Sequence, residues 1–151
     1  MGNVELIPAP GNPDDKINKA IEKALVMAGG IIESAAKEQL TANGSVDTGL
    51  LRNSITYALG GEYPETAEYA NNAGATDKAG RKITEKVGTY EQPAPQDTGS
   101  QRTVYVGTNV EYAPYVELGT SRMNAKPYLR PAVENNRKKI EKAFELAFRG
   151  L

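Results

Sequence analysis

Cysteine and histidine are both absent from the 151-residue chain. Without cysteine, the protein can contain no disulfide scaffold, no thiolate nucleophile and no cysteine-ligated zinc or iron–sulfur site. Without histidine, it lacks the commonest general base and the commonest transition-metal ligand near neutral pH. These absences argue against an enzyme, and we predict no cofactor, no metal site and no small-molecule substrate.

Net charge and long apolar segments are scarce as well. The formal net charge is −1, so the chain has no long-range field to draw it onto DNA phosphates or anionic lipid. Residues 1–12 lack the basic start and apolar run of a signal peptide, and no segment approaches the roughly 18 apolar residues of a membrane span. We expect a soluble, cytoplasmic product without membrane contact, in which any DNA contact is local.

Length and composition predict a single domain, 1–151, with two less regular segments. The first is a flexible N-terminus at 1–12. The second, 60–100, is dominated by small, polar and charged residues and has few side chains to bury, so it cannot repay its own ordering entropy. We predict that 60–100 is a long extended hairpin arm with a mobile tip.

A long first helix is predicted from local chemistry and periodicity. Asn12 suits the N-cap, Pro13 suits the first turn, and apolar residues recur at three- and four-residue spacing to about Leu40. Gly29–Gly30 interrupts this pattern, which indicates a bend, the option we favour, or the close passage of another backbone. Asn43–Gly44 then ends the helix as a left-handed cap.

Strands and a last helix complete the predicted fold. Alternating β-branched and aromatic residues predict strands at Leu51–Leu59 and Thr103–Thr108, with a weaker candidate at Lys82–Tyr90. We expect Thr103–Thr108 to pair antiparallel with the arm and with Leu51–Leu59. A final helix is predicted from Pro131 to about Phe148. The fold class is therefore α+β, with a long N-terminal and a C-terminal helix packed on a small antiparallel sheet.

The outer face of the last helix carries both signs of charge. Glu134 with Lys138, and Arg137 with Glu141, stand four residues apart and predict a ladder of ion pairs. A small basic patch lies among them, but interleaved glutamates cancel most of it. We interpret this face as a solvated helix surface.

A stiff connector precedes the last helix, with the sequence YAPYVELGTSRMNAKPYLRP at 112–131. Its three prolines fix φ angles, Gly119 permits a reversal, and its tyrosines supply rigid amphipathic surface. We predict that the connector presents a surface to other protein subunits. The candidate interface residues are Tyr112, Tyr115, Glu117, Arg122, Met123 and Tyr128.

Two questions stay open for this connector. Each tyrosine has equal weight as an interface anchor and as a core residue. Glu117 either caps the connector or pairs with Arg122 or Arg130. We favour these roles over general acid–base catalysis with Glu111, because no nucleophile, oxyanion loop or metal cluster accompanies the two carboxylates.

A duplicated Asp-Thr-Gly triplet is the strongest catalytic signal. Asp47 and Asp97 could act together in a carboxylate-dependent, aspartic-peptidase-like hydrolase, in which two carboxylates share one proton. That chemistry requires apolar segments that bury both aspartates. Polar and proline-rich residues precede the two triplets instead, so two turns built from common turn residues explain them better.

Two motifs in a fixed order resemble a known family. VDTGLLRNSI follows the first helix, and VGTNVEYAPYVELGTSRMNAKPYLRPA leads into the last one. Together they resemble the gene-product-ten-like family of tailed-bacteriophage neck and tail components, over roughly 14–59 and 101–148. The motif residues are Thr48, Gly49, Leu51, Ser54, Gly119, Thr120, Pro127 and Pro131.

The resemblance implies a phage virion structural protein of the neck, which acts in tail completion or head–tail joining. It further implies a homo-oligomeric ring around the DNA path, with other neck and tail proteins as partners. DNA would pass without specific binding, and the protein would occupy the host cytoplasm during assembly and then the virion. A DNA-binding accessory factor is a third hypothesis, which predicts duplex affinity that depends steeply on salt.

Overall fold

The computed structural model describes residues 13–47, 49–59, 66–84, 87–91, 102–108 and 110–151. The expected α+β class is confirmed, because helices at both ends of the chain accompany short antiparallel strands. The elements within the described residues are α1 (Pro13–Ala42), α2 (Leu50–Ser54), β1 (Thr56–Leu59), β2 (Thr66–Ala70), β3 (Val87–Glu91), β4 (Val104–Gly107), α3 (Ala113–Leu118), α4 (Leu129–Glu134) and α5 (Arg137–Phe148).

Helix α1 forms as predicted and ends in a glycine cap. Gly44 has φ +66°, and its N–H donates to the carbonyl of Thr41 at 3.1 Å. The N–H of Ser45 donates to the carbonyl of Leu40 at 3.0 Å, which completes a Schellman motif. The proposed N-cap, Asn12, lies outside the described residues.

Helix α1 continues through both of its central glycines. A Cβ atom on Gly29 would lie 2.7 Å from the Tyr57 ring and 2.9 Å from a methyl group of Val104, whereas one on Gly30 would meet nothing within 4 Å. Gly29 therefore lets side chains of β1 and β4 pack onto the helix axis. Close packing of these sheet side chains accounts for glycine at position 29.

Strands β1 and β4 form a two-stranded antiparallel sheet that contacts α1. The predicted strand at Thr103–Thr108 is confirmed as β4. The predicted strand at Leu51–Leu59 is wrong in its first half, because α2 occupies that part and β1 begins only at Thr56. Leu51, Ser54 and Ile55 are all buried, and this three- and four-residue spacing suits one side of a helical turn.

The described part of the arm pairs with itself. Strands β2 and β3 form a second antiparallel sheet, and within the described residues this sheet does not join β1 and β4, so the expected pairing with them is wrong there. The connection between the two strands turns at Asp77 and lies against the domain. The Lys78 backbone N–H donates to Asp47 Oδ1 at 3.0 Å, and its ammonium group donates to the carbonyl of Gly44.

The predicted last helix is broken into α4 and α5. The break falls at two asparagines, which compete with the helical backbone for hydrogen bonds. The side chain of Asn136 donates from Nδ2 to the carbonyl of Ala132 at 2.9 Å. The expected pair of Glu134 with Lys138 is also wrong, because Glu134 instead accepts from Arg130 Nε at 3.0 Å.

The core lies where α1, α2, α3 and α4 meet. Alanines on the buried side of α1 and Ala143 on α5 let these helices approach closely, and α1 and α5 make the most extensive contact between elements. None of the helices described has the length and apolar character needed to cross a membrane. The main core cluster contains Ala36, Leu40, Leu51, Ile55, Val110, Ala113, Tyr128 and Ala132.

Candidate assembly interface

Gly119 ends α3 in a conformation that requires glycine. Its φ is +76° and its ψ is 177°, a region essentially restricted to glycine. A Cβ atom here would lie 2.7 Å from the backbone nitrogen of Ala125 and 2.9 Å from the carbonyl oxygen of Met123. The Thr120 N–H then donates to that Met123 carbonyl at 2.8 Å. The connector therefore closes into a tight loop directly after α3.

Glu117 fastens this loop to the last part of the chain. Its Oε2 atom accepts from the N–H groups of Tyr128 at 2.7 Å and Leu129 at 3.0 Å, and its Oε1 atom accepts from the N–H of Arg130 at 3.1 Å. These donors begin α4, which has no side-chain cap of its own. Of the two options for Glu117, capping is the one the structure shows, since the guanidinium of Arg130 pairs with Glu134.

Tyr128 lies in the core and is 1% exposed. Its hydroxyl donates to the carbonyl of Ala113 at 3.4 Å, and burial, with the nearby Glu117 carboxylate as a second cause, raises the pKa of this hydroxyl. As a candidate interface anchor Tyr128 is therefore wrong, because an almost fully buried ring offers no contact surface. The core alternative holds for this residue.

Four other large apolar or aromatic side chains of the connector are exposed. The exposed fraction is 77% for Leu118 and 57% for Tyr115, and it is 42% for Tyr112 and 40% for Met123. Leu118 is not among the interface residues predicted from the sequence, although its three-residue spacing from Tyr115 places both on one side of α3. We call these four residues, Tyr112, Tyr115, Leu118 and Met123, the α3 ridge. Arg122 is also exposed and lies in the loop beside it.

A pocket of about 300 Å³ adjoins the ridge at Tyr112. It lies between Tyr112, the loop that follows α1, and Asn71 at the base of the arm. The Oγ atom of Ser45 on its wall is buried without a hydrogen-bond partner among the described residues. The pocket gives the ridge a concave border on one side.

One comparison with known proteins identifies the family. A family model described as "Bacteriophage HK97-gp10, putative tail-component" matches residues 12–119, which is more than half of the chain. The chain belongs to this family. It is therefore a structural tail component of a bacteriophage virion, and it interacts with other phage proteins. No curated protein and no solved structure matches the chain.

The HK97-gp10 match confirms the resemblance stated from the two motifs. It includes the first motif, the arm and all of α3 up to Gly119. Residues 120–151, which carry Thr120, Pro127 and Pro131 of the second motif, lie beyond it. In the structure Pro127 accepts a hydrogen bond from Asn43 Nδ2 at 3.0 Å, so it joins the connector to the end of α1.

The first motif of this HK97-gp10-like chain builds the core and contributes little surface. Leu51 and Ser54 are buried, and Ser54 Oγ bonds to the Leu51 carbonyl at 2.7 Å and to Thr108 Oγ1 at 2.5 Å. Gly49 has φ +82°, and a Cβ atom there would lie 2.4 Å from the Asn72 side chain. Thr48 lies outside the described residues.

Asp47 of the duplicated triplet lacks the burial that a catalytic pair of aspartates requires. Asp47 is exposed and accepts the Lys78 N–H, whereas a shared proton requires a buried pair of carboxylates. Asp97 lies outside the described residues. Among those that are described, no group of acidic residues could hold a metal ion. Membership of a structural tail-component family also suggests a non-enzymatic role.

Proposed function

We propose that this protein is a neck component that acts in tail completion or head–tail joining, and that it assembles as a ring around the DNA path. It is made in the host cytoplasm, and the α3 ridge is its contact with the neighbouring subunit or tail protein. Family membership supports the structural role. The observation that carries the proposal is the exposed apolar ridge on a rigid support.

The composition of the ridge favours a protein partner. Tyrosine, methionine and arginine are enriched in protein–protein interfaces, and aromatic anchors contribute most to binding energy. Two tyrosines, a leucine and a methionine of the ridge stand exposed beside Arg122. The support below them is fixed by Gly119 and by the Glu117 cap. A rigid apolar surface of this kind loses little entropy on docking.

The test is a charge placed on the ridge in the phage that encodes the chain. We expect Tyr115→Asp with Leu118→Asp to leave the fold intact, because both side chains are exposed. We expect it to reduce infectious particles at least ~100-fold, since an unpaired charge buried in an interface costs several kcal/mol. Electron microscopy should then show capsids and tails that fail to join.

The matched control places the same charge on another exposed apolar residue. Val26 on α1 is 37% exposed and outside the ridge. Val26→Asp should leave particle yield within a few-fold of the parent. Normal yields from the double ridge variant would refute the ridge as the assembly contact, and cross-linked rings from purified virions would report on the oligomer independently.

A further inference from the structure

Helix α5 carries basic residues along its outer side. Lys138 and Lys142 are four residues apart on α5, Arg149 follows Lys142 by seven residues as the C-cap of the helix, and Lys139 stands beside them. We call these four residues the α5 stripe. All four are exposed.

The two glutamates of α5 offset this stripe only in part. Glu145 lies about 20° from Lys138 and about 40° from Arg149 around the helix axis, but residues 137–149 contain five cations and two glutamates, which leaves a net charge of +3. Within the described residues, no α5 side chain lies within 4.0 Å of an opposite charge, and the expected pair of Arg137 with Glu141 is also missing there. The cations are therefore left for solvent or for a partner.

The placement of these cations also lowers the stability of helix α5. The first turn of α5 contains three cations and no acidic residue, although the N-terminal end of a helix favours negative charge. Lys138 and Lys142 repel each other at four-residue spacing. Local arrangements that oppose the fold are expected mainly at functional sites.

We propose that the α5 stripe is a non-specific contact for the phosphate backbone of duplex DNA. The stripe is about 16 Å long from Lys138 to Arg149, and one strand of B-DNA carries a phosphate every ~3.4 Å of helix axis. Lysine is depleted at protein interfaces but common in phosphate contacts. An acidic protein is therefore the less favoured occupant.

The biological role of this contact rests on the proposed position of the protein around the DNA path. The net charge of −1 for the chain means that the stripe acts only at short range, within a Debye length of ~10 Å at moderate salt. A weak contact of this kind would guide DNA without holding it. The binding itself can be measured on the isolated chain, whatever its place in the virion.

The experiment is an NMR titration of the isotope-labelled full chain with a mixed-sequence duplex of about 16 base pairs, at about 20 and 80 mM salt. We expect amide shifts within 137–149. Four phosphate contacts give a slope near −3.6 in log affinity against log salt, so affinity should fall ~100-fold over this range. Lys138→Ala with Lys142→Ala should reduce the slope by about 1.8.

A matched double variant separates the stripe from net charge. Lys82 and Lys126 are exposed lysines outside α5, and replacing both by Ala changes the net charge equally. This control should keep the slope of the parent. The proposal is overturned if the parent shows no shifts, if both double variants lose affinity equally, or if a polyglutamate peptide shifts 137–149 more strongly than DNA. The ridge variant with Asp at 115 and 118 should still bind DNA, so a failure of ring assembly would not mimic a failure of this contact.

Discussion

The α3 ridge and the α5 stripe are both exposed, yet they differ in composition and in support. The ridge consists of apolar side chains above a loop that is held by Gly119 and Glu117. The stripe consists of flexible cations on a regular helix and has no ion pairs within the described residues. Rigid apolar surface suits a protein partner, whereas mobile positive charge suits a polyanion.

The two regions also differ in how much their residues contribute to the stability of the fold. Around the ridge, buried contacts and backbone hydrogen bonds all depend on particular residues. Along the stripe, replacing the cations would break no ion pair within the described residues. Substitutions near the ridge should therefore destabilise the protein, while substitutions in the stripe should change binding and leave stability equal or higher.

The largest effect is expected for Gly119→Ala. Backbone strain at its φ and ψ costs about 1–3 kcal/mol, and the new methyl group would also meet the Ala125 backbone at 2.7 Å. We expect a loss of ~3 kcal/mol or more in the free energy of unfolding, measured by urea denaturation. Gly150→Ala is the matched control, because Gly150 has φ +90° with nothing within 4 Å. Equal losses in the two variants would show that the Ala125 backbone shifts to accommodate the new methyl group with no further loss in the free energy of unfolding.

The next effect is expected for Glu117→Ala. This change leaves three N–H groups at the start of α4 without their carboxylate acceptor, and lost caps and charge-assisted bonds cost ~2 kcal/mol. We expect that loss in urea denaturation and faster amide exchange across 119–130. Glu145→Ala on exposed α5 should change stability by less than about 0.5 kcal/mol. A Glu117 variant as stable as that control would contradict the capping role.

Local chemistry explains the parts of the fold that the sequence predicts correctly. Helix α1 and its end follow from apolar spacing and from Asn43–Gly44, which act within a few residues of each other. Strand β4 follows from its β-branched and aromatic residues. The first half of Leu51–Leu59 was misassigned because a short apolar run fits a strand and a helical turn equally well. Only packing against the core selects α2.

The candidate site was less predictable because its contacts are long-range. The Glu117 carboxylate reaches donors eleven to thirteen residues away, and no periodicity reveals such a contact. Nothing in the spacing of Tyr112, Tyr115 and Tyr128 shows that only Tyr128 is buried. The interface role of Tyr112, Tyr115, Arg122 and Met123 remains a prediction, and Leu118 joins them through its exposure.

Alkaline pH should distinguish the buried tyrosine from those of the ridge. The raised pKa of Tyr128 means that its hydroxyl ionises in the unfolded chain, near pH 10, before it ionises in the folded protein. Stability is therefore unaffected below about pH 10 and falls above it, by ~1 kcal/mol at pH 11. Tyr128→Phe should remove this part of the decrease in urea denaturation, and Tyr115→Phe should keep it. If both variants lose it, Tyr128 is not the group responsible.

The smallest effect, Lys138→Glu, has the opposite sign. An acidic residue in the first turn of α5 interacts favourably with the helix dipole and removes the repulsion with Lys142, which should raise the free energy of unfolding by about 0.3–1 kcal/mol. The same change should weaken the DNA-induced shifts within 137–149 about as much as Lys138→Ala with Lys142→Ala does, because it also removes two units of positive charge from the stripe. A variant that gains stability and loses affinity for DNA would show that the cations of the stripe favour DNA binding and lower the stability of α5. A variant that gains stability and keeps the parent's affinity for DNA would show that Lys138 makes no phosphate contact.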